Sequence, residues 1–466
     1  MPVDRDAVRD AAKYLRSVRP IDPAEIREYV PDRPDSRAVR QVLRELSLEL
    51  GLVERPDGTF APVTEGTLSV DLDAVEGLPD RYIRVVEDRL ADRFGPRWSE
   101  GESADRLREI IRRFKADYYR QHPVEYDRDV ALGYAVYHLP VYYASAQWVL
   151  WDLVRDGLLD RTLRVLDVGA GVGGPALGIH DLLFDDGADP PLVEYHALEP
   201  SEATTLLEPL LETTAGNFHW TVHEERAEGF DPPGPFDVVL FSNVLSELDD
   251  PVAVADRYID VLADDGTFVG IAPADRATSI HLREVERALE DRGRTVYGPT
   301  VRLWPDRRPT DEGWSFDQRP DVESPSFQQR LAQGADRPAE FTHTSVKFSY
   351  TFLRTDGRRR FDVDLTDRPV VPLADAERHV TDRVDVVVAK LSRNLSEGEH
   401  PLYKVSDGSE AVDHFAVLVN ETELNRPLRE AEYGDLLSIE RGLLLWNDDE
   451  AAYNLVVDQD AIVDPA

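Results

Sequence analysis

The chain has 466 residues, with 53 Lys and Arg against 91 Asp and Glu, which gives a formal net charge of −38 at pH 7. It contains no cysteine, so disulfides, Cys-ligated zinc, iron–sulfur clusters and cysteine nucleophiles are all excluded. The length predicts roughly two to four domains. A hydrophobic content of 42% is enough to bury their cores, so the acidity is not that of a disordered tail.

The acidic residues are spread along the whole chain, and nearly all of the basic residues are arginine. Such a lysine-poor, acidic surface is typical of proteins from salt-accumulating archaea, because molar salt shortens the Debye length to about 3 Å and screens the self-repulsion. The alternative is an acidic face that meets a cationic partner. No run of about 20 apolar residues occurs, and the first residues lack an apolar signal core, so we expect a cytoplasmic protein with no membrane contact.

Residues 1–65 are predicted to form a winged-helix-like domain. Three short amphipathic helices are expected, with Pro23 opening the second and Gly51 ending the third. The turn sequence at 55–58 then predicts a two-stranded hairpin. Such a domain would bind nucleic acid or protein, and a plain helical cap is the alternative. The third helix carries three arginines suited to phosphate contacts: Arg37, Arg40 and Arg44.

Residues 66–160 are predicted to form a helical lid, because apolar residues recur with the helical period over 82–94, 104–118 and 131–159. Most aromatic side chains of this region are expected in its core. Pro140 should kink or restart the last helix, since proline lacks the N–H that an inner helical turn requires.

Residues 161–395 alternate between apolar strands and helices, which predicts an α/β, Rossmann-like core with a parallel sheet covered on both faces. An irregular insertion is expected at about 299–343, where periodicity is lost. Residues 396–466 show short strands separated by Gly or Asn turns and are predicted to form a small β-rich C-terminal element.

A glycine-rich loop follows the first strand of this core. Asp167-Val168 run into Gly169-Ala170-Gly171-Val172-Gly173, and a helix begins directly afterwards. Glycine lets the backbone turn tightly and approach a ligand, and the following helix presents unpaired N–H groups. The loop alone is a weak signal for a bound nucleotide.

Two carboxylates sharpen this prediction. Asp167 stands just before the glycines, where it would repel a pyrophosphate but suit the ammonium group of S-adenosylmethionine. Glu199 ends the next strand and is placed to bind ribose hydroxyls. Ser242 and Asn243 follow a later strand and are predicted to line the same pocket. A nicotinamide site and a glycine turn without ligand are the alternatives, and no residue is predicted as a catalytic base.

Beyond the loop, several stretches carry a family resemblance: Tyr137–Ala144, Val165–Gly174, Ser242–Leu248 and Val346–Arg354. Together they resemble the methyltransferase-like proteins of the small ribosomal subunit, known from mitochondria and found also in bacteria and archaea. The resemblance covers roughly residues 75–400. It implies a class I S-adenosylmethionine-dependent methyltransferase fold and a role in assembling or maturing the small subunit, although it does not imply catalysis for every member.

The chain departs from this family in the insertion. Mitochondrial members of the family that it resembles hold an iron–sulfur cluster in this stretch through cysteines. This sequence has no cysteine, so we predict neither a cluster nor a metal. Arginines concentrate in the same stretch, and they are predicted RNA contacts, with neutralisation of nearby acids as the alternative. These RNA-contact candidates are Arg302, Arg307, Arg308 and Arg330.

The glycine loop and its carboxylates therefore predict an S-adenosylmethionine-binding methyltransferase. The resemblance implies that it acts on or assembles the small ribosomal subunit, with that subunit or its rRNA as the partner. Two alternatives stay open. One is a non-catalytic assembly or RNA-binding factor on a methyltransferase scaffold, and the other is a small-molecule methyltransferase.

Overall fold

The structure is a computed structural model that describes residues 3–120, 124–184, 189–363, 365 and 368–466. The chain divides into two compact units, Met1–Val239 with Pro320–Val346, and Leu240–Arg319 with Lys347–Ala466. In the described part of the chain, no helix combines the length and the apolar character that a membrane crossing requires.

The N-terminal region of the first unit has the predicted order of helices and hairpin. Asp22 and Asp35 cap helices by accepting backbone N–H groups, and Gly51 ends the last helix with a φ of +62°. The helices and hairpin share one apolar core, which includes Val8, Leu43 and Phe60. The elements are α1 (Arg5–Leu15), α2 (Pro23–Ile26), α3 (Ser36–Glu45), α4 (Ser47–Leu50), β1 (Leu52–Glu54) and β2 (Phe60–Pro62).

This region is hydrogen-bonded to the strand-and-helix part of the first unit through the hairpin. The Asn217 side chain accepts the Glu54 N–H at 2.8 Å and donates to the Glu54 carbonyl at 2.9 Å. The Glu54 carboxylate pairs with Arg40 and Arg44 of α3. Two of the three arginines predicted for phosphate contacts therefore hold the hairpin against its own helix.

The region predicted to be helical contains α5 (Asp80–Phe94), α6 (Gly101–Tyr119) and α7 (Arg128–Arg155). The expected restart at Pro140 is wrong, because α7 continues through it. Proline offers no N–H to the carbonyl four residues earlier, which is that of Val136. The buried Gln328 side chain, from the insertion, donates to that carbonyl at 2.8 Å and to the Tyr137 carbonyl at 3.3 Å. The Gln328 amide thus takes the place of the N–H that Pro140 lacks, which explains why the helix is not broken.

The first unit contains the predicted strand and helix alternation. Its strands lie in the order β5-β4-β3-β6, and β3, β4 and β5 are parallel. The register places Asp167 beside Ala197, so the carboxyl ends of β3 and β4 meet at one edge. The elements are β3 (Thr162–Val168), α8 (Gly174–Leu183), β4 (Leu192–Leu198), α9 (Thr204–Leu211), β5 (Phe218–His223) and β6 (Phe236–Ser242), the last of which is cut by the unit boundary.

In the second unit the strand order is β6-β7-β10-β8, with β10 antiparallel to both neighbours and to β9. The insertion at 299–343 is mostly irregular, as predicted, but contains β9 and the short helix α12, which lies in the first unit. The elements are α10 (Pro251–Ile259), β7 (Leu262–Pro273), α11 (Arg276–Asp291), β8 (Thr295–Gly298), β9 (Asp317–Gln318), α12 (Ser326–Ala332) and β10 (Lys347–Arg354).

The C-terminal element is a closed barrel with the order β11-β12-β13-β15-β14 and a return to β11. The predicted boundary at 396 is wrong, because β11 already pairs with β14 inside this barrel. Its pairs are antiparallel except β13 with β15, which is the connectivity of the OB-fold. The elements are β11 (Arg383–Lys390), β12 (Leu402–Ser406), β13 (His414–Leu418), α13 (Pro427–Glu430), β14 (Leu436–Asn447), β15 (Ala452–Val457) and β16 (Ile462–Pro465), which extends β14.

Candidate functional site

The glycine loop connects β3 to α8 and has a backbone that only glycine adopts readily. Gly169, Gly171 and Gly173 have φ of +75°, +53° and +90°. The N–H groups of Gly169 and Ala170 donate to the Leu198 carbonyl at 2.8 and 3.1 Å. The loop is therefore fixed to the carboxyl end of β4.

Gly171, Gly173 and Gly174 differ in what surrounds them. A Cβ on Gly173 would lie 2.7 Å from Leu207 Cδ1, and one on Gly174 would lie 2.9 Å from Tyr142 Cβ. A Cβ on Gly171 would meet nothing closer than the Gly169 carbonyl oxygen, at 4.0 Å. Gly173 and Gly174 thus serve close packing, whereas Gly171 borders open space of the kind a ligand needs.

Glu199 follows β4 and lies against the loop. One carboxylate oxygen accepts the Gly171 N–H at 2.8 Å, and the other accepts the Ser201 N–H at 2.9 Å. These two bonds fix the buried side chain in one orientation. Each oxygen keeps a further lone pair, so the carboxylate could still accept two hydroxyls, as the sequence predicts for a ribose.

Asp167 is fully buried at the end of β3. Its Oδ2 accepts the Tyr195 hydroxyl at 2.5 Å, while Oδ1 is buried without a hydrogen-bond partner among the described residues. The pKa of this carboxyl is raised to about 7, chiefly by burial; the Tyr195 hydrogen bond opposes the rise and the charge of Glu199 contributes to it. An orphaned carboxylate oxygen fits a cationic donor such as the ammonium of S-adenosylmethionine.

Ser242 and Asn243 lie in the second unit, at the end of β6 and just beyond it. Asn243 has a φ of +60°, its N–H donates to the Ile271 carbonyl at 2.8 Å, and its Nδ2 donates to Ser242 Oγ at 3.1 Å. The backbone strain is typical of functional sites. Their membership of the cofactor pocket stays a prediction.

His138 has an ionisation state that the sequence alone does not indicate. Its ring stacks on Tyr142 at 5.0 Å, and Tyr142 packs against Gly174 at the start of α8. Burial, together with the nearby His343 and Lys115, lowers the pKa of His138 well below its ordinary value. The imidazole is therefore neutral near pH 7, and its low pKa makes it a weak proton acceptor. The motif around it was visible, but the partners that set its pKa come from α6 and the insertion.

Of the predicted RNA contacts, Arg302 is contradicted by the structure. Its guanidinium is buried and pairs with Glu286 at 3.2 Å and with Glu290 at 2.9 Å. A polyanion cannot reach it without first exposing two carboxylates. Arg302 is a structural residue of the second unit.

The other three predicted RNA contacts are more exposed, and the structure pairs each with an acid. Neutralisation of nearby acids, the alternative weighed for these arginines, describes what is observed. The pairs are Arg307 with Asp375 at 2.9 Å, Arg308 with Asp291, and Arg330 with Glu87 at 3.2 Å.

Comparison with known families finds a match over the part of the chain that contains the glycine loop. Residues 166–268, which contain the glycine loop and Glu199, match the methyltransferase domain family. The chain therefore carries a methyltransferase domain of the class I, S-adenosylmethionine-dependent fold. Residues 5–56 match the domain of unknown function DUF8157, N-terminal domain, and residues 374–466 match its C-terminal domain. No curated protein sequence matches the chain.

The solved structures that resemble the chain are methyltransferases, and their sequence identity to the chain is low. One is a S-adenosylmethionine-dependent methyltransferase from Clostridium acetobutylicum (12% identity, 28% of this chain and 50% of that chain, TM-score 0.24). Another is a SAM-dependent methyltransferase from Aquifex aeolicus (19% identity, 34% and 82%, TM-score 0.27). A third is the plantazolicin methyltransferase BpumL in complex with SAH (14% identity, 58% and 97%, TM-score 0.29). The chain thus spans half the length of the first of these, and TM-scores this low do not bear on its substrate.

Proposed function

We propose that the chain is an S-adenosylmethionine-dependent methyltransferase that acts on the small ribosomal subunit or during its assembly, with the rRNA as acceptor. The observation that carries the methyltransferase part is the pair of buried carboxylates at the glycine loop. Glu199 is fixed by two backbone N–H groups, and Asp167 keeps one oxygen without a partner in the described structure. The ribosomal part rests on the resemblance of the stretches at 137–144, 242–248 and 346–354.

The residues of the first unit would divide the work between holding and orienting. Asp167 would bind the amino group of the cofactor, Glu199 its ribose hydroxyls, and the open side of Gly171 would admit it. S-adenosylmethionine supplies an electrophilic methyl group. Because displacement at a methyl group depends mainly on alignment of the acceptor, positioning is the chief demand on the protein.

Calorimetric titration with S-adenosylmethionine tests the cofactor site. We expect the wild type to bind, Gly171→Arg to lose binding because its side chain fills the open space, and Glu199→Gln to bind about ten-fold more weakly, as for the loss of one charged hydrogen bond. Glu225→Gln, an exposed acid beyond β5, is the matched control and should bind like the wild type. Failure of the folded wild type to bind would refute the methyltransferase proposal.

Methyl transfer is tested by mass mapping of rRNA from a strain without the protein, followed by addition of the purified protein and labelled cofactor. A lost methyl group that is restored in vitro supports the proposal. Cofactor binding without any restored methyl group would favour the non-catalytic assembly factor.

A small-molecule acceptor is the second candidate, and the burial of Arg302 in ion pairs favours it. If the ion pairs of the other three predicted RNA arginines are purely structural, charge reversal at Arg307, Arg308 and Arg330 should leave capture of small-subunit RNA unchanged. Loss of capture in the folded variant would instead support the ribosomal target.

A further inference from the structure

We propose that the N-terminal region of the chain binds single-stranded RNA through an exposed surface formed by α1 and the turn that follows α2. This surface is defined by Tyr14, Val18 and Tyr29 with the basic Lys13, Arg19 and Arg33. It rests on the proposed function only in the choice of RNA as the probe.

The first observation is the local charge. Residues 5–56 contain eleven Lys and Arg against ten Asp and Glu, in a chain whose net charge is −38. Residues 374–466 contain eight against twenty-one. Nucleic-acid binding begins with electrostatic attraction to phosphates. The N-terminal region is therefore close to neutral and repels a polyanion much less than the C-terminal region does.

The second observation is the exposure of apolar side chains in the same region. Among the described residues, the three most exposed large hydrophobic side chains are Tyr14 at 76%, Val18 at 67% and Tyr29 at 61%. Single exposed residues of this kind are ordinary, but these fall within sixteen positions. Tyr14 belongs to α1, Val18 follows α1 by three positions, and the turn Arg27–Tyr29, which contains Tyr29, packs against α1.

Basic side chains accompany these rings and are held only by exposed ion pairs. Lys13 lies 3.6 Å from Glu49, Arg33 lies 3.2 Å from Glu28, and Arg19 pairs with Glu25. Exposed pairs of this type contribute little and exchange easily, so a phosphate can replace the carboxylate. Tyrosine rings with nearby cations are the combination that stacks unpaired bases while holding the backbone.

The structure argues against two other nucleic-acid surfaces. On α3, Arg40 and Arg44 are paired with Glu54 of the hairpin. The C-terminal barrel has the connectivity of a nucleic-acid-binding fold, but the loop between β14 and β15 carries Asp448, Asp449 and Glu450 beside the exposed Trp446. A run of three carboxylates repels phosphates at the place where such a barrel would take a strand.

Fluorescence anisotropy with the full chain tests the proposal. The probe is a labelled RNA of mixed sequence and about 20 nucleotides, offered single-stranded or as a duplex, in KCl from about 0.3 to 3 M. We expect preference for the single strand and at least ten-fold weaker binding by Tyr14→Ala/Tyr29→Ala. Arg33→Glu should lower the slope of log affinity against log salt by about 1 or more.

The matched control is Trp446→Ala with Arg393→Glu on the barrel, which should bind like the wild type. Circular dichroism and calorimetry with S-adenosylmethionine, run on every variant, separate this inference from the proposed function: RNA binding without cofactor binding would sustain only the former. The inference is overturned if the wild type binds no RNA in any salt in which it is folded, if duplex binds as well as single strand, if the barrel variant is the weakened one, or if Tyr14→Ala/Tyr29→Ala instead abolishes a dimer.

Discussion

Replacing Asp167 by asparagine should change how the stability of the protein depends on pH. Asp167 has an ordinary carboxyl pKa of 3.8 when unfolded, and burial at the end of β3 raises the pKa to about 7 in the folded protein. Between these values the folded chain holds a proton that the unfolded chain has released. The free energy of unfolding must therefore fall as pH rises from about 4 to 7, and the loss is complete above the folded pKa. The variant lacks this loss, because an asparagine side chain cannot ionise.

The magnitude follows from the two pKa values. At 1.36 kcal/mol for each pH unit, the interval from 3.8 to about 7 corresponds to roughly 4 kcal/mol in all. About 2 to 3 kcal/mol of this falls between pH 5 and pH 8, since part of the loss has already occurred at pH 5. Asparagine retains an oxygen that can accept the Tyr195 hydroxyl, so the comparison isolates the charge.

Urea unfolding of wild type and Asp167→Asn at pH 5 and pH 8, in the same concentration of KCl, measures the effect. The variant should gain about 2 to 3 kcal/mol relative to the wild type between the two pH values. Asp449→Asn, on the exposed turn after β14, is the control for a general effect of removing negative charge. If the difference in the free energy of unfolding between the wild type and Asp167→Asn is the same at both pH values, the Asp167 carboxyl is ionised at no unusual cost and the reasoning fails.

The same carboxyl couples pH to cofactor binding. A cationic ligand next to Oδ1 favours the ionised form, so binding near pH 6 should release a proton, and affinity should rise from pH 5 to pH 8. Calorimetry in buffers of different ionisation enthalpy reports that proton. Equal heats in all buffers would place the cofactor's amino group elsewhere.

Three further predictions concern packing, backbone and salt. Gln328→Leu should cost about 2 to 4 kcal/mol in urea unfolding, because the Val136 carbonyl loses its donor, and Pro140→Ala in that background should recover part of the loss by restoring an N–H; no recovery would contradict the role given to Gln328. Gly173→Ala should destabilise more than Gly171→Ala, since both lose about 1 to 2 kcal/mol to a left-handed backbone but only the former meets a neighbouring side chain; equal losses would count against that contact. Lowering KCl from about 3 M to 0.1 M should lower the urea midpoint, as a charge of −38 loses its screening; an unchanged midpoint would argue against adaptation to salt.

The glycine loop and its carboxylates could be predicted because the pattern is local. Asp167 directly precedes the glycines, and Glu199 ends the next strand in a parallel register that fixes both at one edge. The strands of the core were recognisable for the same reason, since each is a short apolar run between turn residues. Where a signal is contained in about ten consecutive residues, the sequence was a sufficient guide.

The features that were missed depend on residues far apart in the chain. Pro140 looks like a helix breaker until Gln328, almost 190 positions later, supplies the missing donor. His138 looks like an ordinary core histidine until burial against His343 and Lys115 lowers its pKa. The barrel boundary was misplaced because β11 reads as one more strand of the core, and only its pairing with β14 assigns it to the C-terminal element.

Arginine content also proved a poor guide to polyanion binding when it was counted without its partners. The stretch that contains Arg302 looked basic in sequence, yet the structure supplies an acid for each of the predicted contacts there. In a chain with such an excess of carboxylates, most cations are already neutralised. Polyanion binding is therefore better judged from the net charge of a region together with the apolar side chains that the region exposes. By that measure residues 5–56 differ from the C-terminal region, and the acidic C-terminal barrel does not acquire a nucleic-acid role from its connectivity alone.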